Sequence, residues 1–358
     1  MLAVLVIMKK WINYLLFLVV GIVKGVRTGR GFSFVAQEIR AKIQRLQNKS
    51  QIEEMRRIFD ATPPSDYACE TSPLKLEKVH VFSLCHGGAT SEQKLSILSF
   101  LRHVGSPVTW GVVSDGSITE SQAESLCSIH PSIEVLDWRT FLCEENRVCF
   151  ERLSKFTIFA KKFALMSNLP DAGAVVYVDT DILFFEGAQH FRELLSNLGD
   201  KSYYQKDLPG CLDPSFLTES ELKAPPLNAG FVVQGKRVDW SVPIARLNSI
   251  LSQLKPMQTV GDLGILEQSA SHLAHYLAGS IPLDDKYALQ ISDRFDLEDR
   301  FSGPNFVMRH YVRPVRYKMW LHSNAYLRGR CQQNNRTHDS QSQTSFDSKT
   351  DQLQGLTS

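Results

Sequence analysis

The chain has 358 residues, enough for one large domain or two small ones with a sizeable core. Its 43% hydrophobic and 22% charged content are those of a globular protein, and a formal net charge of +2 leaves no strong field to attract nucleic acid. The seven cysteines show neither CxxC nor CxxH spacing, which argues against a zinc site or a disulfide framework and for a reducing compartment.

Residues 1–8 are apolar, Lys9 and Lys10 interrupt, residues 11–23 are apolar again, and Lys24, Arg27 and Arg30 follow. The second run falls short of the ~20 residues that a spanning helix needs. The paired lysines make one span across both runs costly, and a signal peptide would need a small-x-small cleavage site that does not follow. A short or tilted span is one reading. The favoured one is an interfacial anchor, with Trp11 and Tyr14 at headgroup level and the basic residues facing anionic lipid. Translation from Met8 would leave a basic start and one apolar run. Residues 1–30 are therefore expected to associate with a membrane surface.

Residues 31–76 divide in two. Val35, Ile39, Ile43, Leu46, Ile52, Met55 and Phe59 recur near the helical period, which predicts an amphipathic helix over 34–59. "ATPPSD" breaks it, and 60–76 reads as a linker. From Val79 strands and helices alternate. "VHVFSLC" is a strand ending at the turn His86-Gly87-Gly88, and 91–103 is helical. "VTWGVVSDG" is a second strand, 119–127 is helical, and "SIEVLDW" is a third strand. Residues 154–167 are helical, and "AVVYV" is a fourth strand. This alternation predicts an α/β domain over 77–330, a mostly parallel sheet covered by helices on both faces. Ligands of such sheets bind beyond the carboxyl ends of the strands, here near 85–88, 114–116 and 179–181. Further on, "NAGFVVQG" contains a strand and 264–277 a helix. Residues 331–358 are too polar to bury surface and are expected to be a disordered tail.

The fourth strand ends in the chemistry. In "AVVYVDTDILFF" Asp179 and Asp181 follow five apolar residues at the rim of the core. Paired carboxylates repel and are costly to desolvate, and a divalent cation removes both penalties. Side chains at i and i+2 of an extended segment point the same way, so both can converge on one ion. Hard oxygen ligands suit Mg²⁺ or Mn²⁺, ions that keep positions open for phosphate oxygens.

This pattern resembles the DxD motif of nucleotide-sugar glycosyltransferases with the GT-A (Rossmann-like) fold, above all the retaining group that includes glycogenin and bacterial lipopolysaccharide galactosyltransferases. The resemblance covers roughly residues 79–322. "RHYVRPVRYKMW" is similar to the family's His-Tyr/Phe-x-Gly-x-x-Lys-Pro-Trp segment, which implies His310 as third metal ligand. His310, Tyr311, Lys318 and Trp320 match, but the spacing is two residues longer, Arg313 replaces the Gly and Met319 the Pro. Arg316 falls at the family's Lys offset, so either Arg316 or Lys318 is implied as the diphosphate contact. Asn228-Ala229-Gly230 looks like the family's sugar-contacting Asn-Ala-Gly, with Gly230 permitting close approach of the backbone. Glu267-Gln268 resembles the Asp-Gln pair at the reacting sugar, with Glu in place of Asp.

On the helix before the DxD strand, Phe156, Phe159, Phe163 and Met166 form an apolar stripe expected to be core. Lys162 flanks it and is preferred over Lys161 for contact with Asp or phosphate. Asp115, at the end of the second strand, is a candidate for nucleobase or ribose. Tyr203, Tyr204, Gln205 and Asp207 are candidates for an acceptor site.

The reading is a membrane-associated hexosyltransferase using Mn²⁺ or Mg²⁺. Its donor would be a UDP-sugar and its acceptor a glycan, lipid or protein, with retained configuration implied by the resemblance. The expected location is the cytoplasmic face of a bacterial inner membrane, with a Golgi type II arrangement as the alternative. Two sequons, at Asn48 and Asn335, do not decide it. Three rivals stand beside this reading. A haloacid dehalogenase-type phosphatase would have Thr or Val where Leu183 stands. A sugar nucleotidyltransferase would carry a basic Gly-rich loop where "LCHGGATSEQK" brings Lys94 late. A non-catalytic, membrane-tethered sugar-binding protein would bind donor without turnover.

Overall fold

The computed structural model describes residues 52–67, 72, 74–155, 157, 159–253, 264–294, 296 and 298–327. The apolar N-terminal run, the first part of the 34–59 segment, Phe156, both sequons and the polar tail lie outside the described residues. Among those described, no helix is long and apolar enough to cross a membrane.

In chain order the elements are β1 (Lys75–Cys85), α1 (Thr90–His103), β2 (Ser106–Ser114), α2 (Glu120–Cys127), β3 (Ile133–Asp137), α3 (Glu144–Leu153), α4 (Ala160–Met166), β4 (Ala174–Val178) and β5 (Ile182–Phe184). Then come α5 (Gln189–Ser196), β6 (Ser202–Lys206), α6 (Glu219–Lys223), β7 (Leu227–Gln234), α7 (Ser241–Gln253) and α8 (Gly264–Leu277). Three short strands, β8 (Ile281–Pro282), β9 (Tyr287–Ala288) and β10 (Met308–His310), precede a 3-10 segment over Arg316–Tyr326.

The main sheet runs β3-β2-β1-β4-β7-β6-β8. β3, β2, β1 and β4 are parallel, β7 is antiparallel to β4 and β6, and β6 is parallel to β8. This is the mostly parallel, helix-covered sheet that the alternation predicts. β4 is buried along its whole length, and its side chains alternate between two cores. Val175 and Tyr177 pack with Phe163, Leu247 and Leu273 of α4, α7 and α8. Val176 and Val178 pack with Ile97, Phe100 and Phe191 of α1 and α5. Phe100 meets both Trp110 and Phe184 edge-on, with centroids 5.1 and 5.0 Å away. Each such buried ring contributes on the order of 2 kcal/mol.

A second sheet, β5-β10-β9, sits where the chain leaves β4. A third apolar cluster seals it to the ends of the described chain: Ile52, Phe59 and Tyr67 pack with Leu183, Tyr311, Trp320 and Leu327. Residues 52–61 are helical, and Tyr67 bridges Leu327. Part of the 60–76 stretch lies outside the described residues. The described part holds a 3-10 turn over Pro64–Asp66, and β1 begins at Lys75 rather than Val79.

The helix expected over 154–167 is also corrected. Ser154 ends α3, and α4 starts only at Ala160. Thr157 Oγ1 accepts from the Phe159 amide, a side-chain bond that competes with helical pairing. Phe159, expected in the core, is 43% exposed.

Candidate active site

The chain winds outward from β1 to β3 and returns to β1's other edge as β4, so the crevice beyond β1 and β4 is the sheet's switch point. Asp179 leaves β4 on the same side as Tyr177, whose hydroxyl donates to Asp179 Oδ1 at 2.7 Å. Lys162 of α4 donates to both carboxylate oxygens at 2.9 Å. Burial works against the Lys162 charge, but Asp179 and Glu267 outweigh it and hold the ammonium above its usual range. Asp181 is brought against β10 by backbone pairing: β10 runs antiparallel to β5, and the Tyr311 amide donates to the Asp181 carbonyl at 2.7 Å. This register sets His310 beside Asp181.

His310 Nε2 lies 3.2 Å from Asp181 Oδ1 and 3.8 Å from Asp179 Oδ2. One ligand atom from each of the three residues falls within 4.8 Å of the others. Burial pushes the Asp181 carboxyl up, but His310 and Arg316 outweigh it and lower it to about 2. Two oxygens and one imidazole nitrogen suit a divalent ion, and this trio is the cluster of that kind among the described residues. The backbone is shaped to match. A Cβ on Gly230 would lie 2.3 Å from His310 Cε1 and 2.7 Å from Asp179 Oδ2, so only glycine leaves room for both.

The two candidates for the diphosphate separate clearly. Arg316 donates through Nε to Asp181 Oδ2 at 3.0 Å and through a terminal nitrogen to the same oxygen, with its side chain half exposed. It also borders a cavity of about 380 Å³, lined as well by Ile52, Arg56, Glu92, Tyr317 and Trp320. Lys318 is a correction. Its side chain is fully buried, 2.8 Å from Asp293 Oδ2, in an ionic cluster with Arg309 and the Glu298 carbonyl. An ammonium consumed there cannot also reach phosphate.

Asn228 and Gln268 meet at a residue whose function here the sequence left open. Asp207 Oδ2 accepts from Asn228 Nδ2 at 2.9 Å and from Gln268 Nε2 at 2.7 Å, so one carboxylate fixes both amides. Asn228 Oδ1 in turn accepts from the Gly230 amide at 2.8 Å. Glu267 is buried near Lys162 and Asp179, with Ser271 Oγ donating to its carboxylate at 3.3 Å. Burial raises it to about 7, with Asp179 adding to the rise and Lys162 opposing it.

Asp115 is at the end of β2, where Oδ1 accepts from the Ser117 amide and hydroxyl. Lys161, set aside on helical geometry, donates to the Asp115 carbonyl and lies over the Trp138 ring. Of the proposed acceptor residues, Tyr204 is buried with its hydroxyl on the Pro225 carbonyl. Gln205 faces His310 instead. Tyr177 was missed as part of the site, and Gln205 was expected at the acceptor rather than beside His310. The available signal for Tyr177 was a hydroxyl two residues before Asp179.

The α/β sheet thus carries, at its switch point, a carboxylate–carboxylate–imidazole trio whose ligand atoms lie close enough to hold one metal ion. No family model matches the chain, and no curated protein matches it. Solved structures similar to it include glycosyltransferases. The galactosyltransferase LgtC, in complex with donor and acceptor sugar analogues, is 14% identical over 66% of this chain and 87% of its own, with a TM-score of 0.43. Mouse xyloside xylosyltransferase 1 is 13% identical over 68% and 99%, with a TM-score of 0.40. The glycosyltransferase GlyE of Streptococcus pneumoniae TIGR4 is 16% identical over 69% and 60%, with a TM-score of 0.43.

Proposed function

We propose that the chain is a metal-dependent glycosyltransferase that moves a hexose from a nucleotide-sugar, a UDP-sugar by preference, to a saccharide, lipid or protein acceptor with retained configuration. The observation that carries this reading is the Asp179, Asp181 and His310 trio at the switch point, flanked by Lys162 and Arg316. A divalent ion of the Mn²⁺ or Mg²⁺ type, when held there, supplies positive charge against a departing diphosphate. The remaining work is done by the chain. Arg316 offers a half-exposed guanidinium to phosphate oxygens. Lys162 and Tyr177 hold the Asp179 carboxylate in place. Asp207 takes the amide nitrogens of Asn228 and Gln268 and so holds both side chains in one orientation, as a sugar-positioning pair requires.

The test is a screen of UDP- and GDP-sugars for nucleotide release. Release should require Mn²⁺ or Mg²⁺ and disappear with chelator and in Asp181→Ala, while circular dichroism shows the variant folded. Turnover that persists in that variant with chelator present overturns the reading. Donor binding without release would favour the tethered sugar-binding protein. Pyrophosphate release from a nucleoside triphosphate and a sugar phosphate would favour the nucleotidyltransferase. Anomer analysis of the product decides retention. For the N-terminal run, residues 1–30 would hold the enzyme at the cytoplasmic face of a bacterial membrane, and deleting them should abolish co-sedimentation with anionic vesicles.

A further inference from the structure

His310 reaches the carboxylates through Nε2, and its other nitrogen is also engaged. Nδ1 lies 3.2 Å from Oε1 of Gln205, a residue of β6 with no exposed surface. The Gln205 amide cannot turn over. Its nitrogen donates to the carbonyls of Tyr287 and Ala288, both at 3.1 Å, the two residues of β9. An amide whose two donors are spent on fixed carbonyls must present its oxygen to His310. An oxygen there calls for a proton on Nδ1, which leaves the Nε2 lone pair directed at Asp179 and Asp181. The backbone of β6 is adapted to this aim, because its register against β7 slips between Tyr204 and Gln205. Such an irregularity re-aims a side chain within a sheet.

We infer that Gln205 is a positioning residue that fixes the tautomer and ring orientation of His310 for metal ligation. The inference rests on the metal-dependent reading above, and its test separates the two. Mn²⁺ affinity is measured by electron paramagnetic resonance on the full chain, without donor and without turnover. Gln205→Met keeps the volume and removes the acceptor. It should weaken Mn²⁺ binding about tenfold or more, whereas Gln205→Glu, which keeps an oxygen opposite Nδ1, should bind more tightly than Gln205→Met. Wild-type protein that binds no Mn²⁺ overturns the metal reading and this inference with it. Wild-type binding with unchanged affinity in a folded Gln205→Met overturns the inference alone. If the Met variant does not fold, nitrogen NMR of the Mg²⁺-loaded wild type decides. A proton on Nδ1 of His310 supports the assignment, and a proton on Nε2 refutes it.

Discussion

Arg316 and Lys318 stand two positions apart, and sequence alone cannot choose between them. The structure gives them opposite surroundings. Arg316 is half exposed against Asp181, while Lys318 is buried against Asp293. Replacing Lys318 by Met leaves Asp293 facing Arg309 alone, and losing one buried charged hydrogen bond in this way costs about 1–3 kcal/mol. Lys318→Met should therefore lower the urea midpoint and leave donor KM unchanged in the folded fraction. Arg316→Met should raise donor KM at least several-fold with little change in the midpoint. Equal effects of the two variants on KM would remove the distinction. Gly230→Ala is the sharpest local test of the metal site. The added methyl overlaps His310 and Asp179, so Mn²⁺ affinity should fall at least tenfold at a stability cost of about 1–3 kcal/mol.

α8 brings a titrating group into the core. The rise of Glu267 from 4.5 to about 7 corresponds to roughly 3 kcal/mol. The protonated form is favoured in the folded state, so this contribution is fully present below pH 4.5 and is lost as pH rises toward 7. Glu267→Gln should equal wild type in stability near pH 4.5 and exceed it by up to that amount above pH 7, read from urea unfolding across the range. A difference that does not grow with pH would place the carboxyl in contact with water. The same helix illustrates what a sequence can reveal. α8 spans the stretch expected to be helical, and β4 announces itself by an apolar run that ends in carboxylates. β10 has three residues and no pattern of its own. Its identity comes from pairing with β5 far away in sequence, and that pairing delivers His310. Likewise, Asp207 reads only as one of several acceptor candidates until the folded chain lays Asn228 and Gln268 on it. The DxD pair was legible because its signal is local. His310 and Arg316 were reached only through the resemblance and Lys162 through its place on a helix, while the bonds that Tyr177 and Asp207 make were not legible, because those contacts exist only in the folded chain.

At the scale of the molecule, a buried histidine adds to the response to acid. Burial lowers His275 to about 3. It is neutral in the folded state, so its contribution is present above pH 6.5 and is lost as pH falls below it. It should cost on the order of 2 kcal/mol by pH 5. Glu267 works in the opposite direction over much of this window, so the wild-type profile should be shallower than that of Glu267→Gln. A steeper wild-type profile would contradict the balance. The ends of the described chain have a separate consequence. Tyr67 and Leu327 lie side by side, joined by a single bridge, with Phe59 stacked on the Tyr67 ring. A pull applied through those two points meets that fastening first and peels it open like a zip. The strands of the main sheet, which would resist by shear, feel the load only after the seam has parted.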